Sequence, residues 1–423
     1  MERLSSRERV RRALNHEVSD RVPIDLGATP ISGIHAVELV KLRAELGLPY
    51  QIPVVLCPMT MIAEVDEDVR QALGVDCVGL WTGNTNLGIK NTSLKKWTLP
   101  DGTDVMVAKD FAVTKDNAGR IYAYPQGDTS VPPSACMTNA LYFDNIARQE
   151  DLDEKTDWNA RVDYGEQYTI LDEETLRKLE RQADDLYRNT EYALVGSSES
   201  GGLGDIFHVP GPWLKETKGI RDAVDWYAGF HLYTDYIKEL FAMQTEITLK
   251  NLELYYQAVG NKMLVMVLTG TDFGHQGGIF ISREQYRDLF MPFHKQMTDW
   301  IHKHTEWKVF MHTCGSVYDL IPDFIEAGID ILNPVQVSAK NMEATRLKEK
   351  FGKDIIFWGG GCDPQGLLVK GTPDEVYRQT KINAEILSKG GGLIGGNIHN
   401  AQYDVPAANL VAEMKALKDT LPT

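Results

Sequence analysis

His312 and Cys314 stand two residues apart at the end of the apolar run KVFMHTCG (308–315). In a strand, residues two apart point to the same side. An imidazole and a thiol can therefore face one point together. Cys362 ends a later apolar run and His399 ends the last one. Three or four such nitrogen and sulfur donors on one rim could hold Zn2+ tetrahedrally and leave a place open for a substrate. Donor softness favours zinc over magnesium. The competing reading makes Cys314 and Cys362 small buried fillers and His312 a hydrogen-bonded core residue. A His-x-Cys pair alone does not decide between them.

A second constellation is TDFGHQGG (271–278). Asp272 could orient a ligand histidine, bind substrate or act as a base. It could equally cap a helix in a glycine-rich turn, and His275 is open in the same way. With His399 these two are the candidate catalytic residues. Gln276, Asn333, Gln336, Gln365 and Asn397 end apolar runs and are the candidate substrate-binding residues. Gly359, Gly360 and Gly361 allow close backbone approach, but they lack the spacing of a dinucleotide or phosphate-binding loop.

These residues need elements that place them together. Eight apolar runs supply candidates: VPIDLG (22–27), VDCVGLW (75–81), YALVGSS (192–198), KMLVMVLTG (262–270), KVFMHTCG, IDILNPV (329–335), DIIFWGGG (354–361) and GGLIGGN (391–397). Continuous runs of this kind are strands buried on both faces. Helical patterns lie between the later runs, such as TPDEVYRQTKINAEILSK with its Thr cap and early Pro. Ser5 and Glu8 form a capping-box pattern before a first helix. Strand and helix alternate, which predicts an α/β fold with a parallel sheet. Eight units predict a closed (β/α)8 TIM barrel, whose active site lies at the carboxyl ends of the strands. An open doubly wound sheet is the alternative.

One segment breaks the rhythm. Residues 82–145 hold alternating runs with Asp-Gly and Asn-Ala-Gly turns, which predict two antiparallel β-hairpins inserted after the second strand. Within it, QGDTSVPPSACMTNA (126–140) reads as irregular loop. Residues 150–190 read as acidic and helical. The whole of 1–423 reads as one domain carrying this insertion.

The formal net charge of −16 makes nucleic acid a poor partner. No run of 18 apolar residues exists, so no membrane span is expected. The amino-terminal residues lack the apolar stretch of a secretory leader. Five cysteines in a long chain fit a reducing cytoplasm better than a disulfide framework.

The sequence resembles the uroporphyrinogen decarboxylase superfamily, in its corrinoid-dependent methyltransferase branch. The resemblance is carried by RERVRRALNHEVSDRVPIDLG, LTGTDFGHQGGIFISREQYRDLFMPFHKQM, FMHTCGSVYDLIPDFIEAGIDILNPVQ, WGGGCDPQGLLVKGTPDEV and GGNIHNAQYDVPAANLVAEM. It implies a β/α barrel. Decarboxylases of the superfamily carry an arginine-rich loop after the first strand, and here that place reads DLGATPISGIHA. The methyltransferases carry His-x-Cys, matched by His312 and Cys314, and a later cysteine. Measured back from Pro406, that later place holds His399, so Cys362 is a candidate substitute. The resemblance implies methyl transfer to or from a corrinoid carried by a small partner protein. Zinc would activate a thiol acceptor or polarise an ether or amine donor. Tetrahydrofolate is a third acceptor that it allows. Homodimers are common in the superfamily. A carboxy-lyase and a non-catalytic corrinoid-binding partner are the competing functions.

Overall fold

A computed structural model describes residues 3–150, 152 and 158–423. Eight short parallel strands form one sheet. They are β1 (Ile24–Asp25), β2 (Cys77–Gly79), β3 (Ala193–Ser197), β4 (Met263–Thr269), β5 (Lys308–His312), β6 (Ile331–Asn333), β7 (Ile356–Gly360) and β8 (Leu393–Gly396). Each falls inside one of the eight apolar runs. Neighbours in the sheet are neighbours in sequence, except that β1 pairs with β8 through Ile24↔Gly395. That wrap-around makes a barrel.

The seam between β1 and β2 has no ladder, and Asp76 bridges it. Its N–H donates to Ile24 O at 2.7 Å, and its Oδ2 accepts the Ile24 N–H at 2.8 Å. Arg9 and Arg21 each reach the same carboxylate at 2.7 Å. Asp76 is fully buried. Two guanidiniums and a backbone donor replace the water it loses, as a buried charge requires.

The barrel interior is a packed core. Alternate strand residues fill it, among them Val195, Val265, Phe310, Ile331, Trp358 and Ile394. Helix α1 (Ser6–Leu14) adds Val10, Ala13 and Leu14 to this cluster. Ser5 caps α1 by accepting the Glu8 N–H. Arg7 N–H meets Glu191 O, just before β3, so α1 plugs the amino-terminal end. The opposite end is left free for side chains that do chemistry.

The insertion is larger than two hairpins. Leu94–Thr98 pairs with Asp104–Ala108, and Val113–Lys115 pairs with Ile121–Ala123. Ala135–Met137 then adds to the second hairpin, and Asp144–Asn145 adds to that. The expectation of irregular loop over 126–140 is therefore corrected at Ala135–Met137, and the stretches on either side of it are turns and bends. Ala135, fully buried, finds a paired edge that local sequence does not reveal. A small sheet of Ile34–His35, Val55–Cys57 and Ile62–Ala63 had no counterpart in the sequence reading. Of the acidic stretch, Ala160–Asp163 and Glu173–Asn189 are helical; part of it lies outside the described residues. Among those described, no helix is long and apolar enough to cross a membrane.

Candidate functional site

His312 is the last residue of β5, and Cys314 follows in the turn. Parallel pairing puts His312 beside Asn333 of β6. His399 comes from the segment after β8. Its φ is +77°, a left-handed conformation that non-glycine residues rarely take. Backbone held this way marks a position that the surroundings over-determine. Together His312, Cys314 and His399 bring one ligand atom each to within 4.8 Å of one another. Cys314 Sγ lies 3.3 Å from His312 Nε2.

The cluster sits in an acidic, partly buried setting. Asp272, past the end of β4, accepts the Cys314 N–H at 2.7 Å. Its carboxylate is 3.9 Å from His312 Nε2. Burial pushes the Cys314 thiol up, and Asp272 and Asp205 push it further. Burial pushes His399 down to about 4, with His312 adding to the effect. His399 is therefore a neutral imidazole at pH 7, with a lone pair free to bind a cation.

The donor set and its spacing fit zinc. Ligand atoms on a tetrahedral zinc lie about 3.4–3.8 Å apart, given bonds of about 2.0–2.3 Å. The present cluster, with its ligand atoms within 4.8 Å of one another, is about 1 Å wider than that at most. A divalent cation would also offset the negative charge that keeps the thiol protonated.

Cys314 and His399 face a cavity of about 760 Å³. His275, Gln276, Gln336 and Gln365 line it, as expected from sequence, and so do Asn400, Gln402 and Asp404. Gln276 donates to Gln365 at 3.1 Å, tying the β4 loop to the β7 loop. Gln336 accepts the Gly315 N–H and so steadies the turn that carries Cys314. His275 is exposed and packs on Phe280 at 5.3 Å.

Three expected residues lie elsewhere. Asn333 is not on the cavity wall. It is buried, and its amide is spent on His312 Nδ1 at 2.6 Å and Trp358 O at 2.9 Å. It holds a ligand candidate from behind the cavity wall. Loss of such a partner typically costs about 10–100-fold in metal affinity. Asn333→Leu is expected to weaken zinc binding by that factor, read by competition with a chromophoric chelator. Asn397 is buried with both amide atoms unpartnered among the described residues. It does not line the cavity.

Cys362 does not join the donor cluster. Its side chain packs in the layer outside the barrel, and its N–H donates to Glu413 Oε1 at 2.7 Å. Gly359 and Gly360 have φ of +114° and +69°. These left-handed residues break the two-residue alternation that would have turned Cys362 inward.

Glu413 belongs to a set of buried side chains that hold the cavity wall from behind. Asn383 donates to Gly361 O, and Asn409 donates to Leu368 O and Gly371 O. Burial pushes the Glu413 carboxyl up to about 7. The folded chain then binds more protons than the unfolded chain between pH 4.5 and 7, so stability falls as pH rises through that window. Glu413→Gln keeps the acceptor for Cys362 N–H and removes the titration. Urea unfolding at pH 5 and pH 8 is expected to show the variant gaining up to about 3 kcal/mol relative to wild type at the higher pH. Equal slopes with pH would remove this role.

The sequence reading missed Asp205, in the loop after β3. Its carboxylate accepts the Phe207 N–H at 2.9 Å and lies 3.5 Å from His208 Nδ1. Burial pushes its carboxyl up. The only hint in sequence was an acid set among glycines in GGLGDIF. Asn400, one residue past His399, partners its ring at 3.1 Å.

Comparison with known proteins bears on these features. Residues 212–420 match the family model for uroporphyrinogen decarboxylase (URO-D). No curated protein matches the chain. Among solved structures, the chain is similar to a methyltransferase from Methanosarcina mazei, at 13% identity over 98% of each chain, with a TM-score of 0.51. That likeness is one of fold. An alpha-galactosidase/melibiase-like protein from Bacteroides fragilis aligns at 11% identity over 77% of this chain and 70% of its own, with a TM-score of 0.27.

Proposed function

The chain belongs to the uroporphyrinogen decarboxylase superfamily, and from that premise we propose that it is the methyltransferase component of a corrinoid-dependent system. It would move a methyl group between a small molecule and a corrinoid carried on a small partner protein in the cytoplasm. The observation that carries this reading is the convergence of His312, Cys314 and His399 at one side of an open cavity. His312, Cys314 and His399 would hold zinc, which when bound acts as a Lewis acid toward the methyl donor or acceptor.

The remaining residues have assignable work. Asn333 and Asn400 hold the two imidazoles by their Nδ1 atoms. Asp272 fixes the turn that presents Cys314. Gln276, Gln336 and Gln365 offer amide groups to a substrate in the cavity, and amides of this kind would also suit tetrahydrofolate as acceptor. Among the residues lining the cavity there is no arginine and a single lysine, Lys370, offset by Asp404. A decarboxylase acting on a polycarboxylate needs several cations to bind its substrate, so that reading is the weaker one.

Elemental analysis of the purified chain tests the proposal. About one zinc per chain is expected for a single three-ligand site. Metal removal is expected to abolish methyl transfer to cob(I)alamin, with recovery on adding zinc. A metal-free chain that transfers methyl at full rate would overturn it.

A further inference from the structure

The two histidines of the donor cluster are backed by neutral amides. Asn333 Nδ2 donates to Trp358 O, which turns Oδ1 toward His312 Nδ1. Asn400 is fixed in the same sense. Its Nδ2 donates to Pro30 O at 3.3 Å, and its Oδ1 accepts from Gln402 Nε2 and faces His399 Nδ1. Both rings therefore donate from Nδ1 and keep the lone pair on Nε2. A carboxylate partner would push negative charge into the ring and raise its basicity, whereas an amide does so much less. Only one thiol, Cys314, joins the cluster, because Cys362 packs on Glu413 outside the barrel.

Two neutral imidazoles and one thiolate leave bound zinc with a net positive charge. Such a centre draws electron density from whatever else it binds. It weakens a thiolate as a nucleophile and strengthens the polarisation of a neutral oxygen. The surroundings point the same way. The Asp272 and Asp205 carboxylates, neither with a Lys or Arg partner among the described residues, would repel an incoming thiolate. The cavity wall carries five uncharged amides, those of Gln276, Gln336, Gln365, Asn400 and Gln402, and its one lysine and one aspartate, Lys370 and Asp404, offset each other, which suits a neutral oxygen compound.

We propose that the chain takes its methyl group from oxygen, in an alcohol or a methyl ether, and does not methylate a thiol. This rests on the methyl-transfer reading above and narrows it. A protonated methylamine has no lone pair to offer a Lewis acid, which sets nitrogen donors aside. In the transfer the carbon–oxygen bond breaks and the methyl carbon takes the electron pair of a Co(I) corrinoid. The oxygen keeps the bonding pair and gains one proton from solvent.

The test uses the zinc-loaded chain with free cobalamins as probes. In one arm, cob(I)alamin is offered methanol or 2-methoxyphenol, and methylcobalamin is read by its visible spectrum. In the other, methylcobalamin is offered 2-mercaptoethanol. The first arm is expected to run at least about tenfold faster than with metal-stripped chain, and the second no faster than without protein. Acceleration of the thiol arm, alone or with the first, overturns this proposal and leaves the methyl-transfer reading standing. Failure of both arms overturns both. Cobalt(II) substitution gives a readout apart from activity. The sulfur-to-cobalt charge-transfer band is expected at the strength of one Co–S bond, absent in Cys314→Ser and unchanged in Cys362→Ser. A band of two-thiolate strength, or one halved in Cys362→Ser, overturns the proposal.

Discussion

Cys314→Ser is expected to leave the purified chain without zinc and without methyl transfer, while its fold survives. Serine keeps the shape of the side chain but offers a hydroxyl in place of a soft thiolate. Two imidazoles then remain, and a pair of neutral donors holds zinc poorly. Removing even an indirect partner of a metal ligand costs about 10–100-fold in affinity, so loss of the ligand itself is expected to exceed about 100-fold. Cys314 is only partly buried, at the cavity. The hydroxyl can meet water there, and thermal stability of the metal-free forms is expected to change little. Zinc content by elemental analysis, chelator competition and calorimetry of the metal-free proteins separate these effects. Full zinc retention in Cys314→Ser would show that the metal, if bound, is held by other residues.

Asp76→Ala is expected to produce the largest loss of stability among single changes. The carboxylate is completely buried and serves Arg9, Arg21 and the Ile24 N–H at once. Its removal leaves Arg21 without its carboxylate and Arg9 with Asp20 alone, and it opens the unladdered seam between β1 and β2. Removing one partner of a buried charge pair typically costs about 3–5 kcal/mol. For a chain of this length that corresponds to a fall in Tm of about 5 °C, taking about 2.1 cal/mol/K per residue. Asp76→Asn retains an acceptor for Ile24 N–H and is expected to lose less. Chemical unfolding of wild type and both variants checks the order. An Asp76→Ala protein as stable as wild type would show that the seam holds without this network.

Zinc binding and barrel closure are linked through geometry. The donors come from the ends of β5 and β8, three strands apart in the sheet. Their distance is fixed only if the sheet curves back on itself. The Asp76 network closes that curve on the far side. Part of the metal affinity is thus expected to be lost in Asp76→Ala even where the chain remains folded.

The sequence alone determined the eight barrel strands. A strand covered on both faces has no polar face to show, so its apolar run is continuous and visible without partners. It also singled out His312 and Cys314 as a pair with one facing, but the strand ends at His312, and the turn after it is what leaves Cys314 Sγ 3.3 Å from the imidazole. The insertion was legible only where turns were local. Ala135–Met137 is held by the preceding strand, Ile121–Ala123, across a long connection rather than a tight hairpin turn, and three residues carry no periodicity of their own. At the site, tertiary structure made the decisive choices. It brought His399 to His312 across the barrel mouth through a left-handed backbone at residue 399. It turned Cys362 outward through Gly359 and Gly360, which no alternation rule anticipates. It moved Asn333 from candidate substrate contact to partner of a histidine. Local spacing fixes which way neighbours face; only closure of the sheet fixes which distant side chains meet.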